Sequence, residues 1–479
     1  MADKLYITKV SEVYLRIETE SSVKQELADY FTFLVPGASF IPAVRNKYWD
    51  GKIRLYNFLT GLIYCGLIRQ IYRFAERKGY EIELLSDNII PDQDRQPYNI
   101  DLTLVPRDYQ VMAYEYGVKN DRAVFVSPTA SGKSLIIFML TQYHLIHDRK
   151  VLIIVPTTSL VFQMKTDFEK YSTESLDIHC ISDGAKKESE SPIIVSTWQS
   201  IYNMPKAWYR QFDVIIGDEA HQYKAKSLTT IMERADHTKF RYGFTGTLDG
   251  TLTNKMVLEG LFGPVKKVTT TTELMDRNEV AQLTIKCLAL KYPAEVCKLA
   301  SKFSYQEEVE YLVLNEKRNT FIVNLTASLE GNTLLLYQFV EKHGQVLFDK
   351  LKDKHPDRTV YFIHGGVDAE DREEVRRIVE TESNSIIVAS YGTFSTGINI
   401  RNLHNVVFSS PTKSRVRTLQ SIGRGLRISE TKTDMVLYDI SDDMRHKDKL
   451  NFTAQHFKDR ISIYNSENFK HKIYNIDLT

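Results

Sequence analysis

The spacing of apolar and polar positions divides the chain into regions of different character. Residues 1 to about 90 alternate polar and apolar over short stretches such as Val13-Tyr14-Leu15-Arg16-Ile17, and a turn signal, Asp50-Gly51, precedes Ile53-Arg54-Leu55-Tyr56. A period of two marks strands with one wet face, so a small α+β domain is expected here. Pro91-Asp92-Gln93-Asp94-Arg95-Gln96-Pro97 is polar and suits neither helix nor strand, and is read as a linker.

From about residue 101 the pattern changes to continuous, β-branched apolar runs: Ala123-Val124-Phe125-Val126, Val151-Leu152-Ile153-Ile154-Val155, Pro192-Ile193-Ile194-Val195 and Val214-Ile215-Ile216. A second series follows Cys287, comprising Thr333-Leu334-Leu335-Leu336-Tyr337, Thr359-Val360-Tyr361-Phe362-Ile363, Ser385-Ile386-Ile387-Val388-Ala389 and Asn405-Val406-Val407-Phe408. Runs of this length separated by helical stretches suit parallel strands buried on both faces. Two doubly wound α/β domains in tandem are the simplest account. The expected boundaries are 1–95, 96–282, 283–442 and a C-terminal extension over 443–479.

Composition changes this picture little. At 479 residues, 43% hydrophobic and 26% charged, the chain is that of an ordinary globular protein with about three domains. Its 62 Lys plus Arg nearly balance 61 Asp plus Glu, so any phosphate-binding surface must be local. Cys65, Cys180, Cys287 and Cys297 lack the paired spacings of zinc or redox motifs and are expected to be structural thiols in a reducing cytoplasm. The N-terminus carries no run suited to a signal peptide, and no later run approaches the roughly 20 apolar residues of a membrane span.

The chemistry begins at Ser127-Pro128-Thr129-Ala130-Ser131-Gly132-Lys133-Ser134, between a predicted strand and a predicted helix. In that context backbone N–H groups at the helix N-terminus point at phosphate oxygens, Lys133 reaches the β and γ phosphates of ATP, and the Ser134 hydroxyl ligates Mg2+. Gly132 lets the backbone approach closely. Ser127 and Ala130 stand where glycines are usual. After the strand Val214-Ile215-Ile216 come Gly217 and Asp218-Glu219-Ala220-His221, acids at the end of a parallel strand, where doubly wound folds place ligands. Asp218 is expected to hold the metal and Glu219 to orient and deprotonate the attacking water; a solvated acidic turn is the plain alternative. Upstream, Gln110 of Pro106-Arg107-Asp108-Tyr109-Gln110 can pair with the adenine edge while Arg107 or Tyr109 covers the ring, unless this is an ordinary helix start.

Phosphoryl transfer also gains from positive charge against the γ phosphate, often supplied by a neighbouring domain. Gln420-Ser421-Ile422-Gly423-Arg424-Gly425-Leu426-Arg427 offers Arg424 and Arg427 as candidate arginine fingers on one helix face, with Gln420 one turn earlier near the γ phosphate or its water. A solvated helix face is the alternative.

This ordered set resembles the superfamily 2 helicases of the DEAH-containing kind over residues 101 to about 442. The resemblance implies two tandem RecA-like domains and adds Val155-Pro156-Thr157-Thr158, Ser196-Thr197-Trp198-Gln199-Ser200, Thr245-Gly246-Thr247, Ile363-His364-Gly365-Gly366 and Ser395-Thr396-Gly397-Ile398-Asn399. It implies nucleic-acid backbone contacts for Pro156, Thr157, Thr197, Gln199, Ser200, Gly365, Gly366, Thr393 and Thr396. It likewise implies nucleotide contacts for Thr129, Ser131 and Gly397, and coupling of hydrolysis to movement by His221, Thr245 and Thr247. Hydroxyls and backbone N–H groups bind phosphates without reading bases, as a translocating motor requires. Asn399 replaces the Asp of many relatives, which leaves a contact to the ATP ribose open.

With the N-terminal segments Phe31-Thr32-Phe33-Leu34-Val35-Pro36-Gly37-Ala38 and Arg45-Asn46-Lys47-Tyr48-Trp49-Asp50-Gly51-Lys52-Ile53-Arg54-Leu55-Tyr56, the resemblance narrows to the UvsW-type recombination helicases of tailed bacteriophages. It then covers nearly the whole chain and implies a DNA motor that unwinds branched DNA, migrates Holliday junctions, reverses stalled forks and dissociates R-loops. The implied partners are branched, duplex and single-stranded DNA, with RNA in R-loops, no membrane, and recombination or single-strand-binding proteins; a monomer in the host cytoplasm is expected. From the residues alone, Arg45, Lys47, Lys52 and Arg54 interleave with Tyr48, Trp49 and Tyr56, as in a hairpin that grips a duplex backbone or stacks on an opened pair. The alternative is that Trp49 and Tyr56 are core and the charges a solvated face. Arg445 through Lys458, Arg460, Lys470 and Lys472 form a second basic stretch, equally compatible with a solvated helix. Two other functions stay open: an RNA-directed remodeller, and a junction-binding or strand-annealing module switched by ATP.

Overall fold

The computed structural model describes residues 4–478 except 183, 223–224, 249–251, 398–399, 401, 411–413 and 427–431. The chain forms two compact units, Met1–Ser127 with Gly132–Thr269, and Thr270–Thr479 with the short segment Pro128–Ser131.

The alternating N-terminal region forms β1 (Lys4–Lys9), β2 (Tyr14–Glu18), β3 (Thr32–Leu34), β4 (Lys52–Arg54), β5 (Leu62–Tyr64) and β6 (Glu81–Leu84). The sheet order is β5-β2-β1-β6, antiparallel except for β1 with β6, and β3 pairs with β4 as a separate ribbon. Alternation sends Leu5, Ile7, Leu15 and Ile17 into a core closed by helices Ser21–Tyr30 and Ile68–Lys78. Met256, from the neighbouring α/β domain, belongs to that same core.

The first α/β domain contains β7 (Arg122–Val126), β8 (Val151–Val155), β9 (Ile178–Ile181), β10 (Ile193–Thr197), β11 (Val214–Gly217), β12 (Phe240–Thr245) and β13 (Val265–Lys267). All pair in parallel, in the order β13-β7-β12-β11-β8-β10-β9. The apolar runs are continuous because each face is covered: Phe125, Ile153, Val195 and Ile216 enter one core, while Val124, Leu152, Ile194 and Ile215 enter the other. The second unit repeats the plan with β14 (Gln282–Lys291), β15 (Thr333–Tyr337), β16 (Val360–Ile363), β17 (Ile386–Ser390), β18 (Asn405–Phe408), β19 (Asp434–Asp443) and β20 (His471–Asp477). Their order is β16-β17-β15-β18-β19-β14-β20, again all parallel.

The N-terminal domain is locked onto the first α/β domain. Gly66 lies so close to helix Leu252–Phe262 that a Cβ there would stand 2.0 Å from the Glu259 carbonyl oxygen, which only glycine permits. Tyr14 and Tyr64 stack at 5.1 Å, and both hydroxyls donate to one Glu233 oxygen, at 2.5 and 2.8 Å. Arg122, at the head of β7, pairs with Glu12 at 2.8 Å.

Segment 91–97 has no helix or strand, as its composition predicts, although Arg95 pairs with Asp121. Cys65, Cys287 and Cys297 are buried and Cys180 is half-buried, all as free thiols. Among the described residues no helix is long and apolar enough to cross a membrane.

Candidate functional site

Three adjacent strands of the first sheet, β7, β12 and β11, end side by side, and each delivers one part of the site. After β7 the loop turns into helix Lys133–Leu145 through two left-handed residues, Ala130 at φ 69° and Gly132 at φ 76°. A side chain at Gly132 would be strained by the left-handed backbone and would have to displace Gln110 Nε2, which a Cβ would meet at 2.3 Å. Ala130 holds a conformation that costs an L-residue roughly 1–2 kcal/mol. That is the physical reason a glycine is expected there, and this chain stores the difference as strain. Ser127, standing for the other absent glycine, is fully buried, and its N–H donates to Thr245 O at 2.9 Å, tying the loop to β12.

Glu219, just past β11, is also left-handed, at φ 49°. The turn places its carboxylate 3.4 Å from Lys133 Nζ and 3.5 Å from His221 Nδ1. His221 Nδ1 in turn lies 2.6 Å from Thr245 Oγ1, and Thr245 Oγ1 donates to Thr247 O at 2.7 Å. One unbroken series of polar contacts thus runs from the phosphate-loop lysine through the acid to the end of β12. The sequence motifs appear separately along the chain; parallel strand order brings them together.

Asp218 is buried, 9% exposed, and receives the Glu219 N–H at 2.9 Å. Burial, then the neighbouring Glu219 charge, push its carboxyl up to about 7, against the pull of Lys133. A carboxylate held this unfavourably suits a site that gains a cation. Ser134 Oγ lies 2.8 Å from the Tyr171 hydroxyl, a neighbour no motif announces. Among the described residues no group of three or more His, Cys, Asp or Glu is arranged to hold a metal. Magnesium shared with a nucleotide needs no such cage, because phosphates and waters fill most of its coordination sphere. Ser134 and Asp218 therefore fit it as a partial donor set.

The upstream motif is closed on itself. Gln110 Oε1 accepts the Arg107 N–H at 2.8 Å, Gln110 Nε2 faces Gly132 O at 3.5 Å, and Arg107 Nη1 donates to the Tyr109 hydroxyl at 2.8 Å. Gln110 and Tyr109 are both buried. In this state Gln110 braces the phosphate loop instead of presenting its amide edge.

The proposed nucleic-acid contacts continue along the same strand ends. Pro156 and Thr157 follow β8, Thr197 ends the adjacent β10, and Gln199 Nε2 reaches Pro156 O at 3.4 Å. Thr197 Oγ1 caps the next helix by accepting the Ser200 N–H at 3.3 Å, while Thr157 Oγ1 lies 3.0 Å from Ser159 Oγ. In the second sheet Gly365 and Gly366 are exposed beyond β16, and Thr393 sits beyond the adjacent β17, its N–H donating to Ser390 Oγ at 3.2 Å. Gln420 and Arg424 lie on helix Arg415–Gly425, and Thr396 and Gly397 end helix Tyr391–Gly397; their side chains, with Arg427 and Asn399, lie outside the described residues.

In the N-terminal domain Arg45, Lys47, Lys52 and Arg54 are exposed, and Trp49 is half-buried with Nε1 donating to Lys52 O at 3.0 Å. Tyr56 is core, 2% exposed, and Arg54 is paired with Asp50. The segment is not a hairpin in itself: only Lys52–Arg54 is strand, and its partner is Thr32–Leu34. Arg460, grouped by sequence with the C-terminal basic stretch, is buried in an ion pair with Asp439, its Nε 2.8 Å from Oδ2. It is a core residue and is unavailable to any phosphate.

Comparisons with known proteins agree with this layout. Residues 4–85 match the family described as DNA helicase UvsW, N-terminal; residues 103–250 match Type III restriction enzyme, res subunit; residues 316–429 match the helicase conserved C-terminal domain. The ATP-dependent DNA helicase uvsW of Enterobacteria phage T4 is 35% identical over 495 residues, covering 97% of this chain and 98% of that protein. The DNA 3'-5' translocase XPB2 of Sulfurisphaera tokodaii is 25% identical over 303 residues, covering 63% of this chain and 61% of that protein. The crystal structure of T4 UvsW superposes over 100% of both chains with TM-score 0.52 at 33% identity. The DNA-bound Type ISP restriction-modification enzyme LlaBIII matches 84% of this chain and 34% of its own with TM-score 0.59 at 16% identity, a likeness of fold alone.

Proposed function

The chain belongs to the UvsW family of ATP-dependent DNA helicases, and from that premise we propose that its motor acts on branched DNA, moving junctions, regressing forks and displacing RNA from R-loops. The observation that carries this reading is the attachment of the N-terminal domain. Gly66, the stacked Tyr14 and Tyr64 on Glu233, and the Glu12–Arg122 pair fasten a domain with exposed basic residues to the first motor domain. A module fixed in this way travels with the motor and meets DNA at a constant geometry relative to it.

In this reading Lys133 and the helix N-terminus hold the ATP phosphates, and Ser134 and Asp218 hold Mg2+, which when bound neutralises charge on the transferred phosphoryl group. Glu219 takes a proton from the attacking water; its left-handed turn and its contact with Lys133 fix the carboxylate. Arg424 and Arg427 supply transition-state charge, and Gln420 contacts the γ phosphate or its water. His221, Thr245 and Thr247 relay a change at Glu219 to the strand ends that carry Pro156, Thr157, Thr197, Gln199 and Ser200. Gly365, Gly366, Thr393 and Thr396 serve the second sheet's share of the DNA backbone.

The test is ATPase rate against single strand, duplex, fork, four-way junction and R-loop at fixed salt, because such affinities are salt-dependent. Forks and junctions should stimulate most. Equal stimulation by RNA and DNA single strands, with none added by branches, would replace this reading with an RNA-directed remodeller.

A further inference from the structure

Between β3 and β4 the N-terminal domain makes an excursion whose side chains break the rules of a folded surface. Phe40 is 83% exposed and Tyr48 86%, whereas no other Phe, Tyr or Trp among the described residues exceeds the 53% of Phe162. Rings this exposed forgo the burial that ordinarily draws large apolar groups inside a fold. The excursion is nonetheless well braced: Val35 N–H donates to Gly51 O at 2.8 Å, Phe40 N–H to Gly37 O at 3.0 Å, and Tyr48 N–H to Ala43 O at 2.8 Å. The rings therefore stand on an ordered platform.

The charge around them points to the occupant. Over residues 31–54 there are four basic side chains, Arg45, Lys47, Lys52 and Arg54, and one acid, Asp50, while the rest of residues 1–90 holds eight basic and ten acidic ones. Asp50 is already paired with Arg54. Arg45, Lys47 and Lys52 are exposed and, among the described residues, form no ion pair with a carboxylate. Exposed rings among uncompensated cations match one kind of ligand: a flat aromatic group on a polyanionic backbone.

We propose that Phe40 and Tyr48 form a base-stacking site that takes an opened or unpaired nucleobase at a DNA branch, while Arg45, Lys47 and Lys52 hold the adjoining phosphates. This rests on the reading of the protein as a branched-DNA motor and names the residues that would engage the branch. Stacking is indifferent to base identity because every base offers a π face, which suits a moving enzyme. Trp49 is excluded from this role because its indole is half-buried and its N–H is committed to Lys52 O.

The experiment uses the full chain and a fork with 2-aminopurine at the branch. Without ATP, wild type should change the probe's fluorescence, and Phe40→Ala, Tyr48→Ala and the double variant should lose most of that change. Fork unwinding by the double variant should fall about tenfold, with ATPase on saturating single-stranded DNA within about twofold of wild type, a split expected when a stacking contact and not the motor is lost. Tyr48→Phe should retain both activities. Leu59→Ala, which removes a side chain 88% exposed elsewhere in the domain, should change neither. The proposal is overturned if the double variant unwinds forks at the wild-type rate, if ATPase and unwinding fall in proportion, or if the variant only abolishes self-association, which would make the rings a protein interface. A wild type that changes the probe signal yet is not stimulated by forks would defeat the motor reading while leaving the stacking site standing; fork stimulation without a probe signal would do the reverse.

Discussion

Two charge clusters, one fully buried in the second unit and one partly buried in the first α/β domain, are built on opposite principles. In the second unit Arg318 and Asp442 are both fully buried, with Nε to Oδ1 at 2.8 Å and Nη2 to Oδ2 at 3.0 Å; the carboxylate also accepts the Tyr292 hydroxyl at 2.8 Å and the guanidinium donates to Ser409 O at 2.8 Å. Arg460 and Asp439 repeat the arrangement, with Tyr464 donating to the acid at 2.8 Å. In the first domain Lys133 meets Glu219 at 3.4 Å, Asp218 is pushed up to about 7 chiefly by burial, and two non-glycine residues, Ala130 and Glu219, lie in the left-handed region. The paired cluster holds β19 to the helices beside it. The other carries unfavourable charge and backbone strain, a combination that clusters at functional sites.

The sharpest way to break this contrast is Glu219→Gln. It should lower DNA-stimulated ATPase by about a hundredfold to ten-thousandfold, the usual worth of a general base, while DNA binding is largely kept. Retained junction unwinding would remove Glu219 from the mechanism. Second in size, Arg318→Ala should cost about 3–5 kcal/mol, because it leaves Asp442 buried and uncompensated. A urea midpoint close to wild type would mean that the second cluster is no more structural than the first.

Asp218→Asn should have the opposite sign. The folded state raises the Asp218 carboxyl from 3.8 to about 7, so the folded protein binds the extra proton and its stability falls as pH rises through that window. With chelator present, the variant should match wild type near pH 4 and exceed it by up to roughly 4 kcal/mol at pH 8, at about 1.4 kcal/mol per pH unit of the raised window. Parallel melting curves across that range would show that Asp218 is not strained by its surroundings. The smallest effect is expected of Ala130→Gly. Release from the left-handed penalty of ~1–2 kcal/mol is partly offset by ~0.4–1 kcal/mol of added unfolded-state entropy, so a gain below about 1 kcal/mol should appear in Tm. A loss of stability would mean that the Ala130 methyl group packs usefully.

Much of this was legible along the chain. Val151-Leu152-Ile153-Ile154-Val155 suits a strand covered on both faces, and Gly132-Lys133-Ser134 before a helix reads as a candidate phosphate site. Other features were not. Tyr48, Trp49 and Tyr56 look alike as aromatic residues among cations, yet one is exposed, one half-buried and one core, because only folding gathers Tyr56 into the core that residues of β1, β2 and β5 share. Arg460 looked like part of a basic surface, since its partner Asp439 lies on another element. Tyr171 carries no motif, and its approach to Ser134 follows from helix packing.

The sequence alone determined two parallel sheets and the residue types of a candidate nucleotide site, since apolar periodicity and short motifs are local properties of the chain. Tertiary structure decided which motifs touch. Strand order β7-β12-β11 set Lys133, Glu219, His221 and Thr245 in one line of contacts, and burial decided which carboxylate carries an unfavourable charge. Those are distances and dielectric environments, created only when strands remote in sequence become neighbours.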